Sequence, residues 1–128
     1  MSLANVIAQA RAAVQILDDY GLATQIDISE EVRLSSQAVL NVAVQLVDAT
    51  DLYIRLFLAT QKGTIQLLSY AYQYQHADGS LIFRYDNAKH RPELGFDGHK
   101  HRADGTIIPA EPPTLQALVE EVVDYVTR

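Results

Sequence analysis

Three of the four histidines, His90, His99 and His101, fall within twelve residues, and two of them frame a lysine in His99-Lys100-His101. Imidazole is the side chain whose ordinary pKa lies nearest neutrality, so it can both take and give a proton near physiological pH. Residues two apart on a strand share a face. His99 and His101 would then stand side by side as base and acid for phosphodiester transfer. Lys100, Arg84 or Arg91 would stabilise the charge on the phosphorane, and no metal would be required. The same spacing could offer two imidazoles to one ion, with His90, Asp86 or Asp97 completing the set. Lys100 adds positive charge beside such a site, so metal-free chemistry with no cofactor is the preferred expectation. Short histidine pairs also occur as plain solvated hairpin residues.

The surrounding charge supports a local anion site. The 128-residue chain has a formal net charge of −6, which argues against general attraction to nucleic acid. Residues 84 to 102 nevertheless hold five of the ten basic side chains (Arg84, Lys89, Arg91, Lys100, Arg102) against three acids (Asp86, Glu93, Asp97). Arg84, Tyr85, Asp86, Asn87, Arg91 and Arg102 are therefore the expected substrate-binding residues around His90, His99, Lys100 and His101. A second reading makes residues 85–102 a non-catalytic contact surface, with Asp86, Asn87 and the prolines ordering a protruding loop.

These residues need a scaffold, and the chain supplies one. At 48% hydrophobic and 20% charged, it has the composition of one ordinary globular domain over 1–128. There is no cysteine, which excludes disulfides, thiolate zinc sites and a thiol nucleophile. Met1-Ser2-Leu3-Ala4-Asn5 lacks a basic region followed by an apolar core, and no run approaches the ~20 apolar residues of a membrane helix. The expectation is a cytoplasmic protein. No Gly-rich phosphate loop, GxSxG or basic recognition helix is present, leaving P-loop hydrolysis, serine hydrolysis and helix-based DNA reading without support.

Leu3, Val6, Ile7, Ala10, Val14, Leu17 and Tyr20 recur at helical spacing, with Gly21 placed as a left-handed C-terminal cap. Leu115, Leu118, Val119, Val122 and Val126 repeat the pattern behind Pro112 and Pro113, with Thr114 as the N-cap. Between these helices the period falls to two. Leu40 to Leu46 and Leu52 to Leu58 alternate, a weaker run covers Thr24 to Leu34, and another runs from Thr64 to His76. The spacing predicts five main strands in a meander. Asp78-Gly79, read as a two-residue turn, sets Tyr74 opposite Phe83, Tyr72 opposite Tyr85 and Gln73 opposite Arg84. Asp104-Gly105, read the same way, makes a small hairpin with His101 opposite Ile108 and His99 opposite Ala110. The fold class is α+β: a single antiparallel meander flanked by an N-terminal and a C-terminal helix, plus a small β-hairpin. Tyr70, Tyr72, Tyr74, Phe83 and Tyr85 suit a base-stacking platform, although such a ladder is more often core packing. An exposed sheet edge would suit a homodimer.

One ordered series of residues resembles a known family. Phe83-Arg84-Tyr85-Asp86-Asn87-Ala88, His90-x-Pro92-Glu93, Phe96, His99-Lys100-His101, Ile108-Pro109 and Glu111-Pro112 together resemble the TumE-type toxins of prokaryotic toxin-antitoxin modules. The likeness spans about half the chain, from Tyr70 into the last helix. Where the family pattern carries a further histidine and a proline, this chain has Gly98 and Asp97, which throws more weight on His99 and His101. The resemblance implies a small cytoplasmic toxin paired with a cognate antitoxin protein. It leaves the mechanism open, so RNA as target and catalysis by histidine rest on the residues themselves.

Overall fold

A computed structural model describes residues 2–89 and 95–128. Helix α1 spans Leu3–Asp19 and α2 spans Leu115–Val126. Seven strands lie between them in chain order: β1 Ala23–Arg33, β2 Gln37–Leu46, β3 Asp51–Gln61, β4 Thr64–Gln75, β5 Leu81–Asp86, β6 His99–Arg102 and β7 Ile107–Pro109. They form one antiparallel sheet in sequential order. The expected meander is thus longer by two strands, because the small hairpin pairs with β5 and extends the sheet.

Local chemistry sets the helix ends. The Ser2 hydroxyl accepts from the Asn5 amide at 3.1 Å and the Thr114 hydroxyl from the Ala117 amide at 3.1 Å, each satisfying a donor that the first turn leaves open. Gly21 takes φ +69° directly after α1, the left-handed conformation that favours glycine.

Strand alternation then sorts every residue to one of two faces. Leu40, Val42, Val44 and Leu46 on β2 pair with Leu56, Ile54 and Leu52 on β3, and these with Tyr70, Tyr72 and Tyr74 on β4 and with Phe83 and Tyr85 on β5. All are buried. Both helices pack on this side, with Leu17, Val14, Leu118, Val119 and Val122 fully enclosed. The tyrosines therefore fill the core. Tyr74 stacks edge-on against Tyr125 of α2 at 5.4 Å and shares a 2.7 Å hydrogen bond with the buried Thr50 hydroxyl. Burial pushes the Tyr74 hydroxyl up to about 12, though the Thr50 bond opposes it. A platform for stacking bases is not available on these rings.

The opposite face carries no helix. Two adjacent rows of its side chains cross all seven strands: Ser29, Asn41, Arg55, Ala71, Asp86, His99 and Pro109 in one, and Asp27, Ala43, Tyr53, Gln73, Arg84, His101 and Ile107 in the next.

The two Asp-Gly turns have the same build and different outcomes. Each is a three-residue loop closed by two backbone bonds, His76 to Ser80 and Gly79 to His76 in one, Arg102 to Thr106 and Gly105 to Arg102 in the other. The glycine of each takes φ +87°, as a type I turn followed by a left-handed residue requires. In the first hairpin a register shift beside Gln75 restores the expected pairs, Tyr74 with Phe83, Tyr72 with Tyr85 and Gln73 with Arg84. In the second nothing restores it. His99 pairs with Pro109 and His101 with Ile107, one residue away from the expected Ala110 and Ile108.

Candidate functional site

Asp86 ends β5 with its carboxylate on the helix-free face, yet only 3% of the residue is exposed. Three groups that can carry positive charge surround it. Arg84 donates from Nε to Oδ2 at 2.7 Å, His101 Nε2 lies 3.2 Å from the same oxygen, and His99 Nδ1 lies 3.2 Å from Oδ1. Burial alone would raise the Asp86 carboxyl. The Arg84 hydrogen bond and charge, with the two imidazoles, outweigh it and hold the group below the usual carboxylate range.

The two histidines share a face, as their spacing implies, but not an environment. His99 is 2% exposed. Its Nε2 lies 3.0 Å from the Phe96 carbonyl oxygen, and its ring is 5.1 Å from that of Phe96. Both oxygens facing the His99 ring accept only, so the ring can bond both only when each nitrogen carries a proton. His101, 6.3 Å away ring to ring, keeps a fifth of its side chain exposed. Arg84 is the other member that reaches solvent, and its Nη1 donates to Gln73 Oε1 at 2.7 Å.

Lys100 and Tyr85 alternate to the opposite side. Lys100 donates to Glu121 Oε2 at 3.0 Å, and the Tyr85 hydroxyl donates to Glu121 Oε1 at 2.7 Å. The ammonium also sits 4.9 Å from the Tyr85 ring centroid, within cation–π range. Burial lowers the Lys100 pKa, but Tyr85 and Glu121 together carry it above the usual lysine value. This trio fastens β5 and β6 to α2.

The remaining residues singled out in the sequence are scattered. Asn87 accepts from the Tyr70 amide at 3.1 Å and donates to the Leu68 carbonyl at 3.0 Å, continuing the β4–β5 pairing with its side chain. Arg102 reaches back over its own turn to the Thr106 hydroxyl at 2.8 Å. His90 and Arg91 lie outside the described residues. At Gly98 a side chain would run into the Ala110 carbonyl oxygen and reach within 3.0 Å of the Tyr70 hydroxyl, so a histidine there would require β7 to shift. Among the described residues, no three His, Asp or Glu side chains are grouped to hold a metal ion.

Two further residues stand beside the cluster. Tyr53 and Arg55 occupy its two rows, next to the Gln73 that pairs with Arg84. The signal was present, since Tyr53 and Arg55 are the polar half of the alternation whose apolar half is Leu52, Ile54 and Leu56.

A family model described as Toxin TumE matches residues 13–128, reaching well before the Tyr70 boundary of the resemblance carried by individual motifs. No curated protein and no solved structure matches the chain. No helix among the described residues is long and apolar enough to cross a membrane.

Proposed function

This chain belongs to the TumE toxin family, and from that premise we propose that it cleaves RNA with His101 as the proton-transfer residue. Membership supports a toxin-like component of a toxin-antitoxin module, with an antitoxin as its partner. The proposal adds RNA as target, the cytoplasm as location and a reaction needing neither metal nor cofactor. It rests on one observation: the buried Asp86 carboxylate is held by Arg84, His99 and His101 on the face that the helices leave open.

The division of labour follows exposure. Asp86 orients the His101 ring, as a carboxylate does for a catalytic imidazole. His101 takes the proton from a ribose 2′-hydroxyl, whose oxygen attacks the adjoining phosphorus. The bond to the 5′ oxygen breaks, leaving a 2′,3′-cyclic phosphate; the 5′ oxygen takes a proton from water, and the hydroxide so formed takes back the proton held by His101. Arg84 faces the phosphate. His99, with both ring nitrogens turned inward, supports Asp86 from beneath.

The test is incubation of purified protein with single-stranded RNA, with and without chelator. Cleavage is expected in both, with a loss of about 100-fold or more for His101→Ala. No cleavage by the unmodified protein, or equal cleavage by the variant, sinks the reading. The enclosure of Asp86 and His99 favours a second reading, in which residues 85–102 form a non-catalytic surface for the antitoxin or another protein. Growth inhibition that survives His101→Ala, with antitoxin binding lost in the Tyr85→Ala, Asp86→Ala double variant, would select it.

A further inference from the structure

We infer that the helix-free face also holds a subsite for single-stranded RNA, in which Tyr53 stacks a base and Arg55 receives an adjoining phosphate; this rests on the RNA reading above. Tyr53 shares a row with Gln73, Arg84 and His101, and Arg55 shares the next with Ala71, Asp86 and His99. Adjacent strands are ~4.8 Å apart, so Tyr53 stands roughly 14 Å from His101, three strands away along a straight line. The residues beside them are small. Ala43 is the β2 partner of Tyr53 and Ala71 the β4 partner of Arg55, leaving a trough of about 530 Å³ edged by Asp27, Ser29, Asn41, Gln73 and Arg84.

The chemistry of this trough fits a nucleic acid strand better than a protein. Tyr53 is a large aromatic left 44% exposed, on the face where no helix covers it. Arg55 is exposed, and among the described residues no acid lies within ion-pair distance of it. Asn41 and Gln73 supply hydrogen-bonding groups for base edges. Of the acids on this face, Asp86 is neutralised and Glu31 is paired with Arg33 at 3.1 Å, while Asp27, which accepts from Gln25 at 2.8 Å, and Asp51, one row beyond Tyr53, border the trough on the side away from Arg55. Asp18, Asp19, Glu120, Glu121 and Asp124 all lie on the helices of the other face. An aromatic face beside arginine, next to a phosphate-facing centre, is the arrangement that holds single strands by stacking and charge.

The experiment measures binding of a short fluorescent single-stranded RNA to full-length protein carrying His101→Asn to suppress cleavage. In that background Tyr53→Ala should weaken binding about 10-fold and Tyr53→Phe should not. Arg55→Gln should weaken it and lower the slope of log affinity against log salt by roughly 0.7, one phosphate on a single strand. Circular dichroism and thermal melting verify that each variant folds. If the RNA binds and these variants leave affinity and slope unchanged, the subsite is refuted while the catalytic reading stands. If the unmodified protein neither binds nor cleaves RNA, both fall. If the variants lose antitoxin binding and keep RNA affinity, the trough is a protein-docking face and the inference is overturned.

Discussion

The two faces of the sheet are built from the same strands and solve opposite problems. On the covered face, Leu40, Leu52, Ile54, Tyr72 and Tyr74 meet α1 and α2 with almost no exposed area, and the Lys100–Glu121–Tyr85 trio ties β5 and β6 down to α2. On the open face, the arrangement depends on polar groups around Asp86 and on small residues that leave room. A single strand can serve both because its alternation delivers His99 and His101 to one side and Lys100 to the other. Among the described residues the basic side chains are divided as well, with Lys100 tied to α2 and Arg84 turned toward the helix-free surface.

Substitutions can break or sharpen this division. The largest effect should come from the covered face. Leu52→Ala, at a fully enclosed position, should cost about 4 kcal/mol in urea denaturation; a cost under about 1 kcal/mol would mean that the helix layer does not stabilise the fold as described. Next comes Asp86→Asn. It leaves Arg84 and the histidines without their counter-charge and should cost about 2 to 3 kcal/mol, somewhat less than a fully buried pair because Arg84 reaches solvent. The same residue predicts a pH effect. A carboxyl whose folded pKa is depressed contributes stability above its unfolded pKa of about 3.9, and this is lost as pH falls through the lower folded value. Stability of the unmodified protein should therefore drop more steeply below about pH 4 than that of Asp86→Asn. Parallel acid limbs would show that Asp86 is not held as its contacts indicate. The smallest effect belongs to the partly buried tie between the layers. Tyr85→Phe removes one hydrogen bond to Glu121 and should cost about 1 kcal/mol, read as a small shift in the urea midpoint, with the open face and its RNA chemistry unchanged.

Legibility in the sequence followed range. Both helices with their caps and the alternating strands are readable because they depend on neighbours a few residues apart. The register of the second hairpin is not. Asp104-Gly105 reads as a two-residue loop, whereas Ala103, Asp104 and Gly105 form three. Asp78-Gly79 hides the same error, because the irregularity between Tyr74 and Gln75 cancels it. For the site, periodicity could separate His99 and His101 from Lys100, but not say which side the helices would cover. That depends on Glu121, 21 residues from Lys100 and 36 from Tyr85. Nor could it reveal that one histidine of the pair is enclosed and the other partly open. Arg55 sits in a run whose apolar residues Leu52, Ile54, Leu56 and Leu58 carry the stronger periodic signal.

The sheet's two outer strands differ in a way that bears on growth of the ladder. Ala110 donates inward to the Gly98 carbonyl at 3.1 Å, so alternation turns the Pro109 nitrogen outward, where it has no hydrogen to give. The β7 margin is three residues long and ends on that proline. The β1 margin runs eleven residues and is interrupted by no proline. A chain seeking to add a strand therefore meets a blunt end on the histidine side and a long template on the far side. Any assembly through backbone pairing would build outward from β1, leaving His101 and its surroundings at the free end of the growing sheet.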